Sequence, residues 1–166
     1  MITLRPAVTA DIDAALSIIR QGQAHLKAQG IDQWQNGYPD RLRLEQDVEE
    51  HIGFIITDGT ETLGYLCIVL TGEPAYDIIQ GDWISAGPYA VIHRIAFSDA
   101  ARGQGLSTCV FALADEYCRE KNIPALRIDT HADNHKMQHV LAKNGFRFCG
   151  IVEYTSGLRR AYEKLL

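Results

Sequence analysis

Apolar residues recur along this chain with two periods, and the places where the period changes mark its elements. Residues 2–6 alternate as a strand does. Thr9 then precedes Asp11, Ile12, Ala15, Leu16, Ile18 and Ile19, the spacing of a helix with one buried side, and Thr9 reads as its cap. That helix is predicted to reach about Gln29, with Gly30 ending it. Residues 31–38 form a predicted loop carrying Trp34 and Tyr38. Pro39 and Asp40 open a second helix with Leu42, Leu44, Val48 and Ile52 on one side. Residues 54–60 give a strand and a turn, and the apolar run 63–70 returns as the second arm of a hairpin.

The pattern then lapses. Residues 72–89 hold Pro74, Tyr76, Trp83, Gly87 and Pro88 with no clear period, and their aromatics argue for an ordered pocket wall. Regularity resumes with a strand over 89–97, a helix over 105–121, a strand over 125–130 and a helix over 134–144 closed by Gly145. Strands over 146–152 and 159–164 form a last hairpin around Thr155-Ser156-Gly157. Repeats, linkers and low-complexity tracts are missing, so residues 1–166 read as one domain.

Composition narrows the classes. The chain has 166 residues, 46% of them apolar, enough for a real core. A formal charge of −5 argues against a nucleic-acid binder and leans towards a cationic substrate such as an amine. No stretch is apolar enough to span a bilayer, and the first residues do not read as a secretory leader, so a cytoplasmic protein is expected. Cys67, Cys109, Cys118 and Cys149 lack a C-x-x-C pairing and are expected as reduced thiols, with Cys67, Cys109 and Cys118 buried.

The chemistry concentrates after the strand at 89–97. Arg102-Gly103-Gln104-Gly105-Leu106-Ser107 joins that strand to an amphipathic helix. Glycine at 103 and 105 permits positive φ and close approach of an anion, and the helix adds the positive end of its dipole. Arg102 brings a forked, permanently charged donor. The turn is a candidate cradle for a diphosphate.

Three features in order, the turn from Arg102 to Ser107, Asn134 after the next strand, and Lys143-Asn144-Gly145-Phe146 ending a helix, resemble the GNAT superfamily of acetyl-CoA-dependent N-acetyltransferases. Arg102 and Gly105 match its signature, and Ser107 replaces the final small residue. The Tyr-Ala-Val-Ile-His-Arg-Ile-Ala run before the turn also looks like a bacterial branch of small GNAT proteins. The resemblance implies an α+β fold, with a mixed, mostly antiparallel sheet of about seven strands, splayed at strand 90–97 and flanked by about four helices. It implies that the backbone at Ile95 and Phe97 pairs with the pantetheine arm. The amides of Gly103, Gln104, Gly105, Leu106 and Ser107, with Arg102, would hold the pyrophosphate, and Asn134 would lie beside the pantetheine. Asn134 also suits a plain helix cap.

Transfer to an amine needs a proton acceptor. His93, on the implied splayed strand, is the first candidate, because histidine titrates near neutrality. Glu73 and Asp82 are weaker ones. The family often places a tyrosine where Leu141 stands here, so Tyr154 or water would have to serve the departing thiolate. Trp34, Tyr38, Tyr76 and Trp83, in the two aperiodic segments, are candidate acceptor-binding residues. His131, Asp133, His135 and His139 make a second constellation, with His135 and His139 one helical turn apart as zinc ligands often are, but without an H-E-x-x-H arrangement. No metal is expected.

The sequence thus points to an acetyl-CoA-dependent N-acetyltransferase with a primary-amine acceptor, no nucleic-acid or membrane partner, and a homodimer left open. The alternatives are a CoA-binding regulatory module with little turnover and a metal-dependent hydrolase built on the histidines.

Overall fold

The first helix illustrates how closely the spacing of apolar residues governs packing: Ile12, Ala15, Leu16, Ile18 and Ile19 are all buried, and the positions between them face water. The computed structural model describes residues 1–166. Its elements run β1 (Thr3–Pro6), α1 (Ile12–Ala28), α2 (Arg41–Glu49), β2 (Gly53–Thr57), β3 (Thr62–Val69), β4 (Gln80–Gly81), β5 (Ala90–Phe97), α3 (Leu106–Glu120), β6 (Ala125–Thr130), α4 (His135–Lys143), β7 (Arg147–Tyr154) and β8 (Gly157–Leu165). Two compact units emerge, residues 1–68 with 93–113, and residues 69–92 with 114–166.

In the first unit β1 lies antiparallel to β2 with Leu4 opposite Ile56, and β2 antiparallel to β3 with Ile55 opposite Tyr65. The apolar face of α1 and Leu44 of α2 pack on Ile55, Tyr65, Cys67 and Ala96. Each fully buried Leu or Ile of this set contributes on the order of 1.5–3 kcal/mol. The chain enters α1 differently from the expectation at Thr9. Residues Thr9–Asp11 make a 3₁₀ turn, and the Asp11 carboxylate accepts the Val8 N–H at 2.9 Å and a two-pronged Arg5 at 2.7 Å. The Asp11 carboxylate thus fixes the turn leading into α1, and no side chain caps the helix itself. Asp40 caps α2 by accepting the Arg43 N–H at 2.9 Å.

In the second unit β5 begins parallel to β6, Ala90 opposite Leu126 and Val91 opposite Arg127. β6 runs antiparallel to β8, β8 to β7, and β7 to β4, where Gly81 faces Gly150. The fold is α+β, with eight strands in a mixed, mostly antiparallel sheet and four α-helices. The eighth strand is β4, inside the stretch that had no period. Two residues are too few to show an alternation.

The 72–89 stretch is ordered. Pro74–Asp77 form a 3₁₀ turn, the Trp83 indole donates to the Tyr76 carbonyl at 3.1 Å, and the Arg127 guanidinium lies 4.0 Å from the Trp83 ring centre and 3.7 Å from that of Tyr89. Fully buried Glu163 accepts Arg127 Nε at 3.0 Å and, from the stretch itself, the N–H groups of Ile84 and Ser85 at 2.5 and 3.0 Å and the Ser85 hydroxyl at 2.5 Å.

The cysteines are all free. Cys67 and Cys118 are buried as expected, but Cys109 is exposed. Nine positions separate it from Cys118, two and a half helical turns, so burying one turns the other to water. No helix is long and apolar enough to cross a membrane.

Candidate active site

β5 is where the first unit departs from regularity. Arg94 has φ 54°, so the strand kinks there instead of running pleated to its end. A kink of this kind loosens the ladder and re-aims the side chains around it. His93, Ile95 and Phe97 are each half-buried along this stretch.

Beyond Phe97 the chain tightens. The N–H groups of Ala101 and Arg102 donate to the Ser98 carbonyl at 3.0 and 2.9 Å, and that of Gln104 reaches the Ala101 carbonyl at 3.4 Å. Gly103 and Gly105 take φ values of 82° and 73°, and a Cβ added at either meets nothing within 4 Å. Glycine is required there by the backbone's left-handed conformation, and the space above it is open. α3 starts at Leu106, with first-turn amides that have no acceptor inside the helix. The donor set at Gly103, Gly105, Leu106 and Ser107, open and at a helix's positive end, fits a pyrophosphate. The two side chains of the turn look inward instead. Arg102 pairs with Asp99 and donates to the Phe97 carbonyl at 3.1 Å, while Gln104 Nε2 donates to the Ala100 carbonyl at 2.7 Å. Both stiffen the turn.

The loop between α1 and α2 brings Trp34 and Tyr38 to the same unit. Trp34 packs on the α1 core over Gly22, its ring 3.3 Å from where a Cβ would stand. The Tyr38 hydroxyl accepts from Arg94 Nη1 at 2.7 Å. Arg94 itself forks onto Asp47, with Nε 2.9 Å from Oδ2 and Nη2 2.7 Å from Oδ1. Asp47 also accepts from Arg43, from the Tyr65 hydroxyl at 2.8 Å and from the Cys67 thiol at 3.0 Å. Burial above all, then Cys67 and Asp47, pushes the Tyr65 phenol far above its usual range, so it stays a donor. Arg94 and Asp47 were missed in the sequence. Their signal was there, a charge in the apolar alternation of β5 and a carboxylate on the apolar side of α2 beside Leu44 and Val48.

In the second unit Asn134 is the cap of α4, its Oδ1 accepting the Met137 N–H at 3.2 Å, which leaves its amide NH₂ for other work. Leu141 is fully buried. Tyr154 donates to Asp129 Oδ2 at 2.8 Å, and buried Tyr76 donates to the same oxygen at 2.7 Å. Burial, then Asp129, pushes both phenols up and keeps them protonated. Asp129 is a second carboxylate that the sequence reading passed over. Tyr76 and Trp83 pack against each other with ring centres 5.1 Å apart. The histidines do not converge. His131 Nδ1 accepts the Asp133 N–H at 3.1 Å, His135 and His139 are exposed, and no group of three His, Cys, Asp or Glu is arranged to hold a metal ion.

A family model of the Acetyltransferase (GNAT) family matches residues 20–146. A GNAT acetyltransferase from Streptococcus agalactiae is similar over 99% of this chain and 95% of its own, at 31% identity and a TM-score of 0.89. One from Listeria monocytogenes is similar over 99% and 95%, at 23% identity and a TM-score of 0.78. The ribosomal-protein-S18-alanine N-acetyltransferase of Escherichia coli shares the fold over 99% and 94%, at 14% identity and a TM-score of 0.68. A comparison with curated proteins finds no match. With a family match across most of its length, and the turn, cap and helix ending that first suggested it, the chain belongs to the GNAT acetyltransferase family.

Proposed function

We propose that the protein is an acetyl-CoA-dependent N-acetyltransferase that moves the acetyl group directly to a primary amine of a small molecule or peptide, in the reducing cytosol. The observation that carries this reading is the turn at 101–107, with two left-handed glycines under open space leading into the amides of α3. Those amides hold the pyrophosphate, with Arg102 and Gln104 keeping the turn in shape. The backbone at Ile95 and Phe97 and the side-chain amide of Asn134 are assigned to the pantetheine.

When bound, acetyl-CoA supplies an acetyl group activated as a thioester. The protein's own part is orientation and proton management. His93 takes the proton of the acceptor's ammonium, and the Ile95 N–H holds the oxygen on which charge develops. Tyr154 is the hydroxyl assigned to the thiolate. Its one proton is donated to Asp129 Oδ2, so serving the thiolate requires that bond to break, and its raised pKa makes it a reluctant acid. Trp34, Tyr38 and Trp83 are assigned to the acceptor side, with buried Tyr76 packed behind Trp83, and the peptide in the acceptor class is supported by the name of the E. coli neighbour.

A second reading, a CoA-binding module with little turnover, is favoured by Leu141, which is buried and has no proton to give. Cofactor binding and turnover are tested in turn. Acetyl-CoA at a hundred times its dissociation constant should stabilise the fold by about 2.7 kcal/mol. Gly105→Glu, which adds bulk and like charge at a left-handed position, should abolish the shift while the variant stays folded. An unchanged shift would refute the cradle. Thiol release with a panel of amines then tells enzyme from binder.

A further inference from the structure

Arg94 breaks two local rules at once. It puts a permanent charge in the apolar alternation of β5, and its φ of 54° is left-handed, a conformation that persists in a side-chain-bearing residue only where the surroundings over-determine it. Here they do. Its side chain is 8% exposed and that of its partner Asp47 0%. Two of its three nitrogens are committed to the two oxygens of that carboxylate. Asp47 is held in turn by α2, on which it sits, by Arg43 of the same helix, and by Tyr65 and Cys67 of β3. The guanidinium is therefore fixed in position by α2 and β3, besides its own strand β5.

Its third nitrogen reaches out of this frame. Nη1 donates to the hydroxyl of Tyr38, which is 41% exposed on the loop between α1 and α2. Because that N–H occupies a lone pair of the phenol oxygen, the phenol's own proton is left to donate elsewhere, and a charged neighbour strengthens it as a donor. A loop residue that recognises a ligand binds it more tightly when it is ordered beforehand, since ordering then takes nothing from the binding free energy.

We propose that Arg94 is a positioning residue for the amine acceptor: braced on Asp47, it holds the loop at Tyr38 so that the Tyr38 hydroxyl donates to an oxygen of the acceptor. The acceptor class this selects is an amine that also carries a hydrogen-bond-accepting oxygen, such as an amino acid or peptide. The inference rests on the reading of this loop as the acceptor wall. Lysine cannot replace Arg94, because one ammonium cannot serve both oxygens of Asp47 and Tyr38 in a fixed fork.

The test uses two variants and two readouts. The chain has two tryptophans, so Trp83→Phe leaves Trp34, in the same loop as Tyr38, as the sole reporter. In that background Arg94→Lys and Tyr38→Phe should each increase acrylamide quenching of Trp34. In the enzyme with both tryptophans each should raise the acceptor KM about tenfold, and the double variant no further, because the two residues act as one unit. Acetyl-CoA affinity should stay within about twofold, which a general loosening of the fold would not allow. Should Arg94→Lys fail to fold, Tyr38→Phe carries the test alone, since it removes one hydroxyl from an exposed ring. Unchanged quenching, additive KM penalties, or a matching loss of acetyl-CoA affinity would each overturn the proposal. Quenching that changes in a protein that acetylates no amine would instead sink the transferase reading, acceptor and all.

Discussion

The four thiols show how far one residue's surroundings govern its chemistry. Burial pushes Cys67 up to about 12, against the pull of Arg94, and burial with Asp115 pushes Cys118 up to about 12. Burial also raises Cys149. The thiolate is the nucleophile, so iodoacetamide on the native protein at pH 8 should label exposed Cys109 first. Cys67 and Cys118 should react only after denaturation, and raising the pH to about 9 should not recruit them, since both remain protonated below their raised pKa values. Peptide mass spectrometry reads the order. Fast labelling of native Cys67 would mean that the Asp47 frame opens. Residue by residue, the glycines of the turn were legible in the sequence because their type and place state their conformation. Cys109 was misread as buried, because membership of an apolar helix was weighed without counting its two and a half turns from buried Cys118. Arg94 and Asp47 were harder to see, since each makes sense only once its partner, 47 positions away, is known to be there.

At the scale of elements, Asn134 does one job visibly and is assigned another. Its Oδ1 closes the first turn of α4. Asn134→Ala should therefore cost about 1 kcal/mol in urea unfolding. Asn134→Asp keeps an oxygen for the cap and removes the NH₂, so it should hold its stability and weaken acetyl-CoA binding. If the aspartate variant binds acetyl-CoA as well as the wild type, Asn134 is a cap and nothing more. Helices and strands of ordinary length were readable here, because a period of 3.6 or 2 repeats often enough to register. The start of α1 and strand β4 were not. A 3₁₀ turn held by Asp11 and a strand of two residues leave no repeat to count.

Across the whole molecule, each unit has one fully buried carboxylate on which several donors meet. Asp47 takes Arg43, Arg94, Tyr65 and Cys67, and Glu163 takes Arg127, the Ile84 and Ser85 amides and the Ser85 hydroxyl. Removing one partner of such a pair leaves a charge buried without its complement. Glu163→Gln should thus destabilise the protein by about 3–5 kcal/mol in urea unfolding. It should also expose the backbone around Ile84 to hydrogen exchange before the rest of the unit opens, and uniform loss of protection would deny Glu163 its local hold. Neither carboxylate could be read from composition, where a charge counts as surface until a fold is known. Glu163 has a consequence for how the protein is made. It belongs to β8, near the end of the chain, yet the amides it accepts lie 78 and 79 positions earlier. At a ribosomal rate of about 5–20 residues per second, that stretch waits on the order of 4–16 s for its anchor to be synthesised. During that interval Tyr76, Trp83 and Tyr89 are without the strand that will cover them, and a nascent-chain chaperone would find them there.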